Sequence, residues 1–210
     1  MPTRVKICGI TCPEDGLAAA RAGAHAIGLV FHPASPRYVS VAQAQVIVAA
    51  LAPLVSVVGL FVDAGRERIA DVLSRVPLDL VQFHGAEPAD ECQSYGRRYL
   101  KALHVREGVD LAAQAAAYHD AAGLLLDAFV PGVPGGSGRT FDWAAVPAGL
   151  PRPLLLAGGL DAGNVAAAVR RVRPWAVDVS SGVESAPGIK DAGRIEAFMQ
   201  AVRQVDDEQG

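Results

Sequence analysis

Eight short apolar runs recur along the chain, at residues 4–8, 25–31, 55–62, 78–83, 100–105, 124–128, 154–157 and 176–180, each separated from the next by a helical pattern. This alternation constrains the fold more than any other feature. The runs are nearly continuous rather than alternately apolar and polar, which is the pattern of strands covered on both faces. Strand, helix, strand order implies parallel pairing through right-handed crossovers. Eight such units within 210 residues imply a closed ring rather than an open, doubly wound sheet. At this length one compact unit spanning residues 1–210 is the economical reading. The fold class expected is therefore α/β, a single-domain (β/α)8 TIM barrel with parallel strands.

Local signals place the helices. Thr11 followed by Glu14 predicts a capping box ahead of an alanine-rich helix ending near Gly23, and Ser40 with Gln43 predicts another, in a helix stopped by Pro53. A third helix is predicted over 66–76. The tetrapeptide VDAG at 62–65 returns as LDAG at 160–163, about half the chain later, and His84 and Gly182 stand at the same offset. Such an echo sets strands three and four opposite strands seven and eight. The polar, acidic end from Asp206 is expected to fray.

Composition excludes several classes of function. Lys and Arg total 19 against 22 Asp and Glu, a net charge of −3, and the arginines are scattered, so no nucleic-acid partner is expected. No apolar run is long enough to span a membrane and no charged-then-apolar leader opens the sequence, so the chain reads as cytoplasmic. Cys8, Cys12 and Cys92 include no CxxC pair, which argues against a disulfide framework and fits a reducing compartment. No second ligand pair stands at zinc spacing, and no metal is expected.

The last two strand ends carry the strongest functional signal. LLLAGGL (154–160) closes on Gly158 and Gly159, which let backbone N–H groups approach a ligand, and VDVSSGVE (177–184) breaks into Ser181 and Gly182. PGIKD (187–191) then offers a helix start. Small-residue strand ends followed by a helix N-terminus make the phosphate site expected after strands seven and eight of a barrel, so a small phosphorylated partner is predicted. The segment 129–141, FVPGVPGGSGRTF, is longer than most connectors, and loops of that length are usually functional. Its Gly136 joins Gly158, Gly159, Ser181 and Gly182 as a candidate phosphate contact. Phe141 occupies the third-glycine position of a dinucleotide fingerprint, and no glycine-lysine-hydroxyl loop occurs, so no nucleotide-driven chemistry is indicated.

Barrel enzymes keep their chemistry at the carboxyl ends of the strands, where Cys8, His32, His84, His104 and Asp127 are predicted to sit. Asp127 follows three leucines, where a carboxylate is costly unless paired or used. Cys8 can equally be a small buried hydrophobe, and His84 can satisfy a core carbonyl. Arg37, in a stiff loop after Pro36, suits an anionic group. Strand parity puts Lys6 on the face of Cys8 and Asp178 on the face of Ser180. Because strand eight closes beside strand one, Lys6 and Asp178 are predicted to pair beneath the site.

Taken together, KICGIT (6–11), SPRYV (35–39), QFHG (82–85), LLLDAF (124–129), GGSGRTFDW (135–143), LAGGL (156–160), DVSSGVE (178–184) and PGIKD resemble the phosphoribosylanthranilate isomerase family of tryptophan biosynthesis. The match runs in order over essentially the whole chain. Phe83 stands where that family is expected to carry leucine, a change away from the chemistry. The resemblance implies a cofactor-independent Amadori rearrangement of N-(5-phosphoribosyl)anthranilate to 1-(2-carboxyphenylamino)-1-deoxyribulose 5-phosphate. It implies Asp127 as the general acid that opens the furanose ring and Cys8 as the general base at the sugar C2′. It also implies that Arg37 contacts the anthranilate part and that His84 shapes that end of the pocket. The unit is expected to be a monomer or a homodimer.

The chemistry asks for these residue types. Ring opening needs a proton donor near neutral pH, which a carboxyl group supplies where burial or nearby negative charge disfavours its ionised form. Deprotonating carbon needs a base, and a thiol with an ordinary pKa near ~8.5 serves where its site favours thiolate. The imine nitrogen acidifies C2′, so no metal or cofactor is required. A phosphate grip remote from the reacting carbons holds the sugar between acid and base. Two rivals remain. Histidine-pathway or dual-substrate isomerases of this fold are expected to carry aspartate where Cys8 stands, and a noncatalytic phosphosugar-binding barrel would need neither Cys8 nor Asp127.

Overall fold

Val5 and Ile7 point outward from the first strand into a layer of buried apolar side chains, while Lys6 and Cys8 point inward, and all four are buried. Double-sided burial is why the sequence shows a continuous run there. The structure, a computed structural model, describes residues 1–106, 108–128 and 140–209. Its strands β1 (Arg4–Cys8), β2 (Ala26–Val30), β3 (Ser56–Phe61), β4 (Leu80–Phe83), β5 (Tyr99–Val105), β6 (Gly123–Ala128), β7 (Leu154–Leu156) and β8 (Ala176–Val179) pair in chain order. All pairs are parallel, and β8 returns to β1 with Lys6 opposite Asp178, closing the barrel. The predicted barrel is the observed one, with strand ends differing by one or two residues because ladder hydrogen bonds, not apolar character, set them.

Outside the ring pack α1 (Pro13–Arg21), α2 (Val41–Ala50), α3 (Arg66–Arg75), α4 (Ala89–Gln93), α5 (Leu111–Ala117), α6 (Val165–Val172) and α7 (Ala192–Gln209). The main core lies between strands and helices, built on Ile7, Ile27, Phe61, Phe83 and Leu124. A smaller cluster of Val58, Leu100, Leu125 and Leu155 fills the barrel interior. Cys8 and Asp127 stand beyond it, at the carboxyl-terminal end of the ring. Among the described residues no helix is long and apolar enough to cross a membrane.

Several local expectations change. The Ser40–Gln43 capping box forms at α2. The Thr11–Glu14 box does not: Cys12 is the N-cap of α1, without a side-chain bond, and Pro13 enters the first turn. Proline has no N–H to cap, and the Thr11 hydroxyl donates instead to the Gly188 carbonyl at 2.6 Å. Between β6 and β7 the described residues hold a 3₁₀ turn, Trp143–Ala145, rather than a helix. Pro147, Gly149, Pro151 and Pro153 deny that stretch helical hydrogen bonds.

After β8 a 3₁₀ turn (Ser181–Val183) leads into a hairpin of β9 (Glu184–Ala186) and β10 (Ile189–Lys190). The helix predicted at PGIKD therefore begins just later, at Ala192, with the Asp191 carboxylate accepting from Arg194 N at 2.9 Å. It continues to Gln209. The Asp206 carboxylate accepts from the backbone N and the hydroxyl of Thr3, both at 2.7 Å, tying the end of the chain to its beginning.

Candidate active site

A cavity at the carboxyl ends of the strands gathers Cys8 from β1, His84 after β4, Asp127 from β6, Gly158 and Gly159 after β7, and Ser181 after β8. Arg37 and His32 reach it from the β2–α2 loop. Residues from six strand ends thus converge because parallel strands all finish on the same rim. Gly158 and Gly159 have φ of +86° and +62°, a left-handed backbone that favours glycine. A Cβ on Gly158 would stand 2.8 Å from the Ala128 nitrogen. Gly182 lies behind this lining, where a Cβ would run into the Leu160 carbonyl oxygen, so it allows the two strand-end loops to meet. Gly136 lies outside the described residues.

Cys8 is 6% exposed. Its register partner on β2 is Gly28, and a Cβ there would stand 2.6 Å from the Cys8 sulfur, so a side chain at 28 competes directly with the thiol for space. Beneath it the predicted pair is present: Lys6 Nζ lies 2.8 Å from Asp178 Oδ1, with both side chains buried. Burial pushes the Cys8 thiol above its ordinary pKa, opposed by the charges of Lys6 and Lys190. Burial likewise pushes Asp178 up, against the pull of Lys6. Lys6, despite burial that works against its charge, is held above its ordinary value by Asp178 and Cys8.

Asp127 sits across the cavity. Its Oδ1 accepts from the Ala128 backbone N at 2.8 Å, and its Oδ2 lies 3.2 Å from His84 Nε2. The other ring nitrogen of His84, Nδ1, is 2.9 Å from Gln82 Nε2. His104 does not line the cavity with them; its Nε2 lies 3.2 Å from the His84 carbonyl oxygen, and burial, then the neighbouring His84, lowers its pKa.

Arg37 is held by a fork. Its Nε and Nη2 donate to the two Glu184 carboxylate oxygens at 2.7 and 2.8 Å, and Lys190 Nζ donates to the same carboxylate at 2.7 Å. Bidentate geometry fixes the guanidinium plane as one contact cannot. Burial pushes Glu184 up, but the hydrogen bonds from Arg37 and the charge of Lys190 outweigh it and hold Glu184 below the usual carboxylate range. One carboxylate between two cations leaves a net positive charge at this rim, suited to an anion.

The family model for N-(5'phosphoribosyl)anthranilate (PRA) isomerase matches residues 5–201. The chain belongs to the N-(5'-phosphoribosyl)anthranilate isomerase family. It is 60% identical over 200 residues, 95% of each chain, to the N-(5'-phosphoribosyl)anthranilate isomerase of Pseudomonas fluorescens strain Pf-5. The crystal structure of phosphoribosyl anthranilate isomerase from Thermotoga maritima superposes with a TM-score of 0.87 at 42% identity, covering 96% of this chain and 99% of that one. A phosphoribosyl anthranilate isomerase solved with reduced 1-(o-carboxyphenylamino)-1-deoxyribulose 5-phosphate superposes at 0.83 with 41% identity, covering 96% and 99%. This member of the family is accordingly an isomerase.

Within this barrel, several site residues escaped notice in the sequence. Gly28 had a signal, since it falls opposite Cys8 once strands one and two are aligned. Gln82 shares strand parity with His84, and it could have been found by the reasoning that paired Lys6 with Asp178. Glu184 had none, because its partner Arg37 lies 147 residues before it, and Lys190 joins them only through Glu184. Among the described residues no group of His, Cys, Asp and Glu is arranged to hold a metal ion. What the isomerase site does offer is a buried thiol and a buried carboxyl group facing one cavity, with glycine-rich backbone at one side and a fixed arginine at another.

Proposed function

We infer that this barrel isomerises N-(5'-phosphoribosyl)anthranilate to 1-(2-carboxyphenylamino)-1-deoxyribulose 5-phosphate, the step expected of it in tryptophan biosynthesis, with Asp127 as acid and Cys8 as base. The observation that carries this reading is that both groups line one cavity whose rim also holds Gly158, Gly159, Ser181 and Arg37. Asp127 donates its proton to the furanose oxygen while the C1′–O bond breaks and the anilino nitrogen lone pair forms the C1′=N bond. The iminium acidifies C2′. Cys8 thiolate removes the C2′ proton, the C–H electrons form C1′=C2′, and the π electrons of the iminium return to nitrogen. The enaminol then gains a proton at C1′ and loses one from its hydroxyl, giving the ketone.

Protein groups serve each stage. The backbone of Gly158 and Gly159 with Ser181 takes the phosphate, Gly182 keeping the two loops in contact. Arg37, locked by Glu184, takes the anthranilate carboxylate, and His84 borders that end. The positive iminium formed in the first step favours a nearby thiolate, offsetting the burial that raises the Cys8 pKa. The active unit is proposed as a monomer or a homodimer. With Cys8, Cys12 and Cys92 all unpaired, we assign the protein to the cytoplasm.

The test follows anthranilate fluorescence as freshly generated phosphoribosylanthranilate meets the purified protein, with Cys8→Ala, Asp127→Asn and a histidine-pathway phosphoribosyl substrate alongside. Rapid loss with wild type, and none with either variant or the imidazole substrate, is expected. No loss where a control isomerase works would overturn the function, and full turnover in one variant would overturn that residue's role.

A further inference from the structure

Gln82 is fully buried, yet its Oε1 has no hydrogen-bond partner among the described residues. Its one recorded bond is the 2.9 Å contact of Nε2 with His84 Nδ1. An unpaired buried carbonyl oxygen costs free energy, so this amide is poorly explained as mere core filling. Turning the amide over would put an –NH2 group, with two donors, where one acceptor now stands unpaired. In the structure Nε2, not Oε1, faces His84.

That orientation has a chemical consequence. An N–H donated to Nδ1 requires Nδ1 to be bare, so a neutral His84 carries its proton on Nε2. Nε2–H then donates to Asp127 Oδ2 across 3.2 Å, while Ala128 N–H donates to Oδ1. Both protein neighbours of the carboxyl group are donors, and neither can accept a proton from it. A proton on Asp127 therefore lies on a lone pair turned toward the cavity, and the carboxylate left after transfer keeps two donors. With the opposite tautomer, His84 Nε2 would accept the Asp127 proton and hold it away from the substrate.

We propose that Gln82 is a positioning residue for the acid: its amide sets the tautomer of His84, and His84 in turn keeps the transferable proton of Asp127 on the cavity side. This rests on the reading of Asp127 as the acid given above. His84 touches the acid directly, whereas Gln82 acts only through it.

Nitrogen-15 spectra of histidine-labelled protein decide the tautomer, the His84 signals being assigned by their loss in His84→Gln. Wild type is expected to show a proton on Nε2 and a bare Nδ1. Gln82→Met, similar in shape without the donor, is expected to lose that preference. Its kcat should fall roughly tenfold or more, within the ~10²–10⁴ that a positioned acid contributes, with KM changed less than about threefold. Gln82→Glu, an acceptor in the same place, is expected to move the proton to Nδ1 and to lower kcat at least as far. A wild-type His84 protonated on Nδ1 would overturn the assignment of Gln82 even where Asp127→Asn is inactive. So would a folded Gln82→Met that keeps both the tautomer and the kcat of wild type. Full turnover in Asp127→Asn would overturn the acid reading itself, and this proposal with it.

Discussion

Replacing Gly28 by alanine puts a methyl group into the space of the Cys8 thiol. The added Cβ would stand 2.6 Å from the sulfur, 3.1 Å from the Cys8 Cα and 3.3 Å from its Cβ. Non-bonded heavy atoms rest at about 3.5–4.0 Å, so the sulfur has to move by about 1 Å and the two strands by a few tenths of that. Overpacking of this kind costs roughly 1–3 kcal/mol, a loss that a domain of ordinary stability, about 5–15 kcal/mol, survives folded. For a domain of this size it corresponds to a drop in Tm of roughly 2–12 °C. The catalytic effect is larger: a displacement of about 1 Å between base and carbon is worth on the order of 100-fold in rate. In the anthranilate fluorescence assay kcat is expected to fall by that factor while KM changes little, since the phosphate and anthranilate contacts lie elsewhere. Gly59→Ala on β3 is the control. Its Cβ would press on Leu78 and Phe31, away from the thiol, so it is expected to lower Tm without a comparable loss of kcat. A folded Gly28→Ala enzyme within threefold of wild-type kcat would refute the placement of Cys8 as the base.

Four further outcomes are expected. In the substrate-free enzyme burial holds the Cys8 thiol above its ordinary value, so the ultraviolet thiolate absorbance that Cys8→Ala lacks should appear only at alkaline pH; a Cys8 thiolate already present at neutral pH would contradict the buried thiol. Glu184 is held below its ordinary 4.5, so the stability it contributes is present above pH 4.5 and is lost as pH falls through the folded value; Glu184→Gln should remove that acid-sensitive part of a Tm-against-pH profile. The same variant frees Arg37 and strands Lys190, and should raise KM roughly tenfold, about 1.4 kcal/mol of binding; unchanged KM would remove Arg37 from the substrate contacts. Gly182→Val forces the β7 and β8 loops apart at Leu160, and should raise KM roughly tenfold or more with a smaller change in kcat, as expected for a lost phosphate grip.

Much of the site was legible before any coordinates. Continuous apolar runs announced strands buried on both faces, and residues just past their ends announced the rim, because a parallel sheet gathers all such ends together. Parity, together with strand eight closing beside strand one, was enough to pair Lys6 with Asp178. Other features left no local mark. The Thr11 hydroxyl had a plausible use in its own helix and was drawn instead to Gly188, which reaches it only through the hairpin after β8. Asp206 looked like part of a solvated tail because its partner Thr3 is 203 residues distant.

The sequence by itself determined that strands and helices alternate, that the strands lie between two apolar layers, and that small residues end the last two of them. These follow from periodicity and composition, which act within a few residues. Only the tertiary structure decided that Gly28 makes room for Cys8, that Gln82 reaches Asp127 through His84, and that Glu184 locks Arg37. Each depends on which strand end lies beside which when the ring closes. That order brings together residues far apart in the chain, and a pattern repeating every two or three to four positions holds no record of it.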